Sequence, residues 1–426
     1  MEPITKHNKE TISPGKVKQP GAAKAFKFNP FLAEFQSDPY PTYHRLRVED
    51  PVHRSFDTWV ITRYADVKAV LRDPRFGADQ VPKRIKNKSH YFEEQQRDIK
   101  TLVQMSGKFF FYLDPPDHTR LRGLVSKAFS AKVVERMRPQ IHEIVDESIN
   151  KVRDTGVMDI VVDLSCPLPV IVIARMLGVP AEDSSKLGQW SNEMSRIIDP
   201  LMSLEDYDHL NQVAVAFTEY FRGLIVERRK RPKEDLISAL IAARDQGDKL
   251  SEDELLSVCL MLFLTGEETT VHTIGNGMLA LLRHPDQMEL LKRNPTIIQS
   301  AVEEILRYDS PVQQTARIAR EDVEIGDKII RSGENVLVSL GAANRDPAQF
   351  SNPAQLDLIR DENHHLAFSD SIHYCLGAAL ARIQSQIAIN TLVQRLPNLK
   401  LNTEKLEWRK NINIRGLKSL PVSFTP

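Results

Sequence analysis

The feature that most constrains the fold is an uninterrupted helical pattern of 34 residues, from Ser251 to His284. Ser251 and Glu254 form a Ser-x-x-Glu capping box at its start, and Pro285 ends the pattern. At about 1.5 Å per residue, such a helix is roughly 50 Å long. A helix of that length crosses an entire domain, so the other elements must pack around it.

The middle of this helix carries polar residues in an otherwise apolar stretch, within the run Thr265 to Thr270. Gly266 costs the helix about 1 kcal/mol relative to alanine, and a buried carboxylate such as Glu268 costs more unless it is paired. The cluster predicts a local kink beside a cavity, with an acid and an alcohol available for proton delivery. A hydroxyl such as that of Thr269 can also bond back to its own helix, so both interpretations stay open.

A second informative segment lies near the end of the chain, where Cys375 stands in a tight turn before the helix-forming run Ala378 to Arg382. Backbone N–H groups at a helix start lower the pKa of a thiol. A thiolate there can be a nucleophile, a metal ligand or the axial ligand of a haem. A buried structural cysteine is the alternative interpretation.

Composition excludes several classes of protein. The three cysteines are far apart and odd in number, which argues against a disulfide framework and favours the reducing cytoplasm. Lys and Arg together number 57, as do Asp and Glu, so no basic excess points to a nucleic-acid partner. No run of 18 apolar residues is present, so we predict no membrane span.

The chain is expected to form one large domain. Residues 1–27 hold six lysines and no apolar signal segment, which indicates a mobile leader, although such a leader could also touch a membrane surface. A strand at Trp59–Thr62 and a helix at Tyr64–Leu71 open the folded part, residues 28–426. Further helices are predicted over 117–129, 132–154, 163–177, 204–230 and 233–246. The predicted class is mainly α with a minor β portion.

Together these segments resemble the cytochrome P-450 family of haem–thiolate monooxygenases, of the soluble bacterial type, from about Asn29 onward. The cysteine segment is similar to the family's Phe-Gly-x-Gly-x-His-x-Cys-x-Gly loop at Phe368, His373, Cys375 and Gly377. The Thr265–Thr270 run resembles the oxygen-activation motif of the long central helix.

Three further segments carry the resemblance in the right order. Glu304-Ile305-Leu306-Arg307 matches the Glu-x-x-Arg motif, which the family buries in a structural network with a residue at the position of Arg360. The run Asp114 to Arg122 matches the segment that supplies a His and an Arg to the haem propionates, here His118 and Arg122. Arg317 stands where the family has another propionate-binding arginine.

The resemblance implies a single-domain triangular-prism fold, with haem b buried between the long central helix and the cysteine-loop helix. Cys375 would be the axial ligand of the haem iron, and His118, Arg122, Arg317 and His373 would surround the propionates. Gly266 would let the helix admit O2, Thr269 would hold a water there, and Glu268 would relay protons.

The implied activity is insertion of one atom of O2 into an apolar small molecule of secondary, lipid, terpenoid or polyketide metabolism. Electrons would come from NAD(P)H through a separate ferredoxin or flavodoxin and its reductase, and the protein would be a monomer. Three regions are expected to line the substrate pocket: residues 78–112, with Phe109, Phe110 and Tyr112; residues 190–202, with Met194, Ile197, Ile198 and Leu201; and residues 411–414.

The loop departs from the family pattern at Ser369 and Ser371, which replace both glycines. Glycine favours a positive φ angle, so we expect at least one serine hydroxyl to form a compensating hydrogen bond. Two alternatives to the monooxygenase remain at this point: a peroxide-driven haem–thiolate oxidase, and a haem- or ligand-binding protein without turnover. The pair Glu268-Thr269 argues against the peroxide-driven enzyme, because it serves the O2 pathway.

Overall fold

The computed structural model describes residues 28–243 and 248–426, so the predicted leader at residues 1–27 lies outside the described part. Within that part the chain is mainly helical. The α-helices are α1 (Ala33–Ser37), α2 (Tyr40–Glu49), α3 (Tyr64–Arg72), α4 (Gln80–Glu94), α5 (Lys100–Ser106), α6 (Asp117–Ala128), α7 (Ala131–Glu135), α8 (Arg138–Val152), α9 (Pro167–Leu177), α10 (Ser184–Met194), α11 (Leu204–Lys230), α12 (Leu236–Ala242), α13 (Glu252–Arg283), α14 (Pro285–Arg293), α15 (Ile298–Tyr308), α16 (Leu340–Ala343) and α17 (Ala378–Arg395).

The β portion is minor, as predicted, and most of its strands lie outside the helical core. The strands are β1 (Val52–Ser55), β2 (Thr58–Ile61), β3 (Phe76–Gly77), β4 (Val157–Asp159), β5 (Thr315–Ala319), β6 (Val323–Ile325), β7 (Lys328–Ile330), β8 (Asn335–Val338), β9 (Lys400–Leu401) and β10 (Pro421–Ser423). They form a five-stranded sheet in the order β1-β2-β8-β5-β3, a three-stranded sheet β4-β10-β9 and a hairpin β6-β7.

The long helix α13 forms as the sequence predicts. The Ser251 hydroxyl accepts from the Glu254 backbone N–H, and the Glu254 side chain accepts from the Ser251 N–H, so both parts of the capping box are present. The helix ends at the C-cap His284, because the next residue is Pro285. It packs against α9, α10, α11, α15 and α17, and α17 is the helix that follows the cysteine loop.

Two predicted helices are divided by prolines. The pattern over 132–154 is split into α7 and α8, because Pro139 stands in the first turn of α8 and favours a new helix start. The pattern over 163–177 becomes a π-helical turn at Ile160–Ser165 followed by α9, which Pro167 opens. By contrast, α11 has the predicted bounds, and Ser203 and Asp206 supply its capping box.

The predicted helix 233–246 begins later than the pattern indicates. The side chain of Asp235 accepts a hydrogen bond from the Ser238 N–H and so caps α12 at Leu236. Residues 244–247 lie outside the described part.

One stretch, Ile160–Leu177, is long and apolar enough to cross a membrane by length and composition, with a mean hydropathy of 2.0 over 18 residues. About two thirds of it, 67%, is buried inside the fold, and α9 packs directly against α13. An apolar helix that is covered by other helices is typical of a domain core.

The five-stranded sheet positions one predicted site residue. Strand β5 pairs antiparallel with β8, with Arg317 opposite Val336. The side chain of Arg317 is 4% exposed, so this cation is held inside the molecule at the sheet. Since a buried charge needs a partner, its surroundings are relevant to the site.

Candidate functional site

Cys375 closes a tight loop that leads directly into α17. Its backbone N–H donates to the Phe368 carbonyl at 2.9 Å, and Gly377 is the N-cap of the helix. Burial raises the pKa of the Cys375 thiol, while the Gly377 N–H and the charges of Arg122 and Arg382 act in the opposite direction. The N–H group and the two cations are therefore placed to favour a thiolate.

The two serines of this loop adopt a backbone conformation that favours glycine. Ser369 has φ 63° and Ser371 has φ 61°, which is the left-handed region. The expected compensation is missing among the described residues: the Ser369 hydroxyl is buried and has no partner there, and the exposed Ser371 hydroxyl bonds to none of them either. The prediction of a serine hydrogen bond is therefore wrong, and the loop keeps strained serines.

Four predicted propionate partners lie together beside this loop. The rings of His118 and His373 are 4.5 Å apart between centroids, and Arg122 Nη2 donates to the Tyr374 carbonyl at 2.5 Å. Burial lowers the pKa of His373 to about 3, helped by the charges of Arg317, His118 and Arg122. Burial also lowers the pKa of His118 and, to about 10, that of Arg317.

These groups lack acidic partners within the described part of the chain. Both ring nitrogens of His118 and Nδ1 of His373 are buried without a hydrogen bond, and Arg317 bonds only to Thr315 Oγ1 and the Ala316 carbonyl. The carboxylate of Asp114 acts on His118 and Arg317 but is itself bound by Arg320 at 2.6 Å. The residues present therefore fit a ligand that brings two carboxylates beside a cysteine, as a haem does.

The polar run of α13 forms continuous α-helix, so no break is present at Gly266. The Thr269 hydroxyl lies 3.4 Å from the Thr265 carbonyl, and Thr265 donates to the Met261 carbonyl at 2.8 Å. Threonine hydroxyls that bond back to their own helix often bend it. A Cβ added to Gly266 would make ordinary contact with Ile173, at 3.7 Å, so packing against α9 leaves room for alanine there.

Glu268 belongs to a small polar cluster, of which the sequence predicted only Glu268 itself. Its carboxylate lies 3.7 Å from both His272 Nε2 and Arg409 Nη1. Glu267 lies in the same cluster, and burial raises the pKa of its carboxyl to about 7. The i,i+4 spacing of Glu268 and His272 was readable in the sequence, whereas Arg409 comes from a distant turn that no local pattern links to α13.

Glu304, Arg307 and Arg360 lie in one buried network. Arg307 forms a two-point ion pair with Glu304 at 2.7 and 2.8 Å, and both side chains are fully buried. Arg360 Nε adds contacts at 3.1 and 3.2 Å, and Asn363 donates to the same carboxylate. Since every acceptor is occupied, the charge pair is satisfied inside the core.

A neighbouring ion pair ties the cysteine-loop helix to α15. Arg382 binds Glu303 through two nitrogens at 2.7 and 2.8 Å, and His365 reaches the same carboxylate at 3.1 Å. Burial raises the pKa of Glu303, but these bonds outweigh it and hold the pKa at about 2. The Arg382 guanidinium also stacks over the Phe368 ring at 4.5 Å, which fixes the first residue of the loop.

A cavity of about 470 Å³ lies between the sheet and the variable segments. All three regions predicted to form the pocket contribute to its wall: Gln80, Val81, Arg84, Phe111 and Tyr112; Ile198, Pro200 and Leu201; and Ile412, Asn413 and Ile414. The sheet side supplies Val60, Thr315, Arg317 and Leu337, and the segment before α1 supplies Phe28 and Phe31.

Not every predicted pocket residue lines this cavity. Phe109, Phe110, Met194 and Ile197 belong to the buried core instead. Neither Cys375 nor the polar run of α13 is in the wall, whereas Arg317 is. Through Arg317, the cavity thus borders the group formed by His118, His373, Arg122 and Arg317 on the side of the sheet. Its position fits an entrance to that group.

Comparison with known proteins identifies the relatives of this chain. The family model for cytochrome P450 matches residues 75–419. Cytochrome P450 CYP107DY1 of Priestia megaterium is 44% identical over 373 residues, which cover 86% of this chain and 89% of the relative. The 6-deoxyerythronolide B hydroxylase of Saccharopolyspora erythraea is 40% identical over 400 residues, with 91% and 96% covered.

Solved structures agree with this sequence similarity. The crystal structure of P450BioI in complex with an acyl carrier protein ligated to hexadec-9Z-enoic acid superimposes with a TM-score of 0.85 at 39% identity. The match covers 92% of this chain and 99% of the P450BioI chain. Fold, length and sequence therefore agree over nearly the whole described part.

Proposed function

The chain belongs to the cytochrome P450 family, and on that premise we propose which of its residues carry out haem–thiolate monooxygenation and on what class of substrate. The enzyme is an oxidoreductase that uses haem and O2. The peroxide-driven and non-catalytic alternatives are disfavoured by the monooxygenase and hydroxylase relatives. The domain proposed to hold this activity is residues 28–426, preceded by the leader at 1–27.

The cofactor is proposed to be haem b with Cys375 as the axial ligand of the iron. The observation that carries this assignment is the convergence of His118, His373, Arg122 and Arg317, without free acidic partners, beside the Cys375 loop. These four side chains would bind the two propionates, since buried carboxylates need cationic or hydrogen-bonding partners. Phe368 and Gly377 would shape the loop around the sulfur.

Bound haem supplies the activation of O2, which an electron-rich thiolate ligand promotes. The chain's own contribution is to place proton donors near the reacting oxygen. In our proposal, Thr269 uses its hydroxyl, now 3.4 Å from the Thr265 carbonyl, to hold a water there. Gly266, without a side chain, leaves space for O2 beside the helix.

Glu268 is proposed to deliver protons to that water. Its carboxylate lies 3.7 Å from both His272 and Arg409, so a side chain that can exchange a proton is its neighbour. Glu267, with a pKa of about 7, can supply a second exchangeable proton in the same cluster.

The substrate is proposed to be an apolar small molecule that becomes hydroxylated or epoxidised. The mostly apolar cavity of about 470 Å³ supports this class. The names of two relatives, 6-deoxyerythronolide B hydroxylase and the polyketide biosynthesis cytochrome PksS, support a role in secondary metabolism of the polyketide, terpenoid or lipid type.

Electrons are proposed to come from NAD(P)H through a ferredoxin or flavodoxin and its reductase, delivered to a monomer in the cytoplasm. Product formation with a surrogate ferredoxin system and NAD(P)H, compared with peroxide alone, tests this electron route. Turnover with peroxide alone would favour the oxidase instead.

The ligand assignment is tested by Cys375→Ser, with Cys166→Ser and Cys259→Ser as matched controls. The reduced protein with CO should lose its thiolate-specific absorption band only in the Cys375 variant. A band that persists in Cys375→Ser, or disappears in either control, contradicts the assignment.

A further inference from the structure

The charges on the cavity wall are unbalanced. Among the described residues, those that line it include two arginines, Arg84 and Arg317, and no aspartate or glutamate. The remaining wall is apolar or neutral. With an apolar ligand alone, each of these cations needs an anionic partner from elsewhere, because desolvating an unpaired charge is costly.

Arg317 is accounted for by the site already described. It acts on His373 and lies in the cation group assigned to the haem propionates. Arg84 has no such role, because it comes from α4, which contacts the sheet side and the segment before α6.

Arg84 has few partners in the described part of the chain. Its Nη2 donates to the neutral Ile197 carbonyl at 2.5 Å, and its Nε is buried without a hydrogen bond. No carboxylate among the described residues lies within ion-pair distance of it. The neighbouring Lys83, by contrast, is exposed and pairs with Asp79 at 3.0 Å.

A second donor lies near Arg84. The hydroxyl of Tyr112 is buried and has no hydrogen-bond partner among residues 28–243 and 248–426. Both side chains line the cavity, and the charge of Arg84 acts on the phenol. Because burial raises the pKa of Tyr112, the phenol stays protonated and can donate. A guanidinium beside a phenol O–H is a donor set suited to a carboxylate, which accepts several hydrogen bonds at once.

We propose that the substrate of this enzyme is an apolar molecule that carries one carboxylate, bound by Arg84 with Tyr112 as a second donor. This inference rests on the proposed function, because it takes the cavity as the entrance for the substrate. Arg84 is then a specificity residue that selects acids over their esters. Charge-assisted hydrogen bonds of this kind correspond to a preference of about 10- to 100-fold.

The experiment is calorimetric titration of the haem-loaded protein with three acids and their methyl esters. The pairs are hexadecanoic acid, abietic acid and cholic acid, each beside its own ester. We expect at least one acid to bind about 10- to 100-fold more tightly than its ester. In Arg84→Gln the preference should fall to within about threefold, and in Tyr112→Phe it should fall partially.

Lys86→Gln is the matched control, since Lys86 is exposed on the same helix and its removal changes the net charge equally. It should keep the full preference for the acid. The proposal is overturned if no acid binds better than its ester, if the preference survives in Arg84→Gln, or if Lys86→Gln lowers it as much.

Measuring the haem content of the Arg84→Gln variant distinguishes a role in substrate binding from a role in binding the propionates. Arg84→Gln should retain haem as the parent does, and a loss of haem would assign Arg84 to the cofactor and overturn the proposal. The thiolate band with CO and turnover with the surrogate system test the proposed function separately. Their failure would not alter the calorimetric preference for an acid.

Discussion

Replacing the strained loop serines by glycine should stabilise the protein. Ser369 and Ser371 have φ angles of 63° and 61°, and a non-glycine residue in this region costs about 1–2 kcal/mol. Replacement by glycine relieves this strain, but it also raises the conformational entropy of the unfolded chain, which offsets about 0.4–1 kcal/mol of the gain in stability. The net gain in the free energy of unfolding is therefore about 1 kcal/mol for Ser371→Gly.

Ser369→Gly should gain more, because it also removes a buried hydroxyl that has no partner. An unsatisfied buried polar group costs about 1–3 kcal/mol, which gives a total of about 2 kcal/mol for this variant. The alanine variants separate the two effects. Ser369→Ala removes the hydroxyl but keeps the strain, so it should gain about 1 kcal/mol, and Ser371→Ala should gain nothing.

The assay is denaturant unfolding of the haem-loaded variants at matched haem content, followed by the haem absorption band, with the CO band as a check on Cys375 ligation. We expect the denaturant concentration at the unfolding midpoint to be highest for Ser369→Gly, lower for Ser371→Gly and lowest for the parent. Glycine variants that unfold at or below the parent's midpoint would refute the reasoning. A gain in Ser371→Ala equal to that in Ser371→Gly would show that the backbone is not strained.

Three further outcomes are expected. Thr269→Ala should keep substrate binding but release peroxide in place of product, because the difference between the barriers to product formation and to peroxide release should shrink by about 1–3 kcal/mol. NAD(P)H consumption that remains fully coupled to product formation would exclude this role for Thr269. Glu303 has a pKa of about 2, below its ordinary 4.5, so its ion pair stabilises the folded protein fully above pH 4.5 and loses that effect as the pH falls to about 2. Glu303→Gln should therefore lower the free energy of unfolding by about 2 kcal/mol at pH 7. In unfolding curves the difference from the parent should vanish near pH 2. Gly416→Ala should destabilise by about 1–3 kcal/mol and slow turnover, because its Cβ would overlap the His272 ring; unchanged unfolding would contradict that packing.

Elements fixed by local chemistry could be predicted from the sequence. The bounds of α11 and α13 follow from Ser203 and Ser251, whose capping boxes form as the spacing indicates. The errors arise where a local device overrides the apolar period: Pro139 divides one predicted helix, and Asp235 starts another one late. Periodicity shows which face of a helix is buried, but it does not show at which residue one helix ends and the next begins.

Site residues within one segment could likewise be located, whereas their distant partners could not. Cys375 and His373 are fixed by the loop, and Glu268 by its place on α13. Arg409, more than a hundred residues away, reaches Glu268 only after the last turns of the chain fold back. The strain at Ser369 was a similar case, because the sequence shows the replacement but not whether the backbone adapts to it.

The contrast between two arginines explains why the substrate class was harder to predict than the fold. Arg307 is fully buried against Glu304, and removing one partner of such a pair costs about 3–5 kcal/mol, so the fold itself fixes that residue. Arg84 contacts one neutral carbonyl, and its loss should cost only about 1 kcal/mol of stability. Because Arg84 contributes so little to the fold, its buried Nε and the Tyr112 hydroxyl, which have no hydrogen-bond partner among the described residues, are available to the carboxylate ligand that we propose.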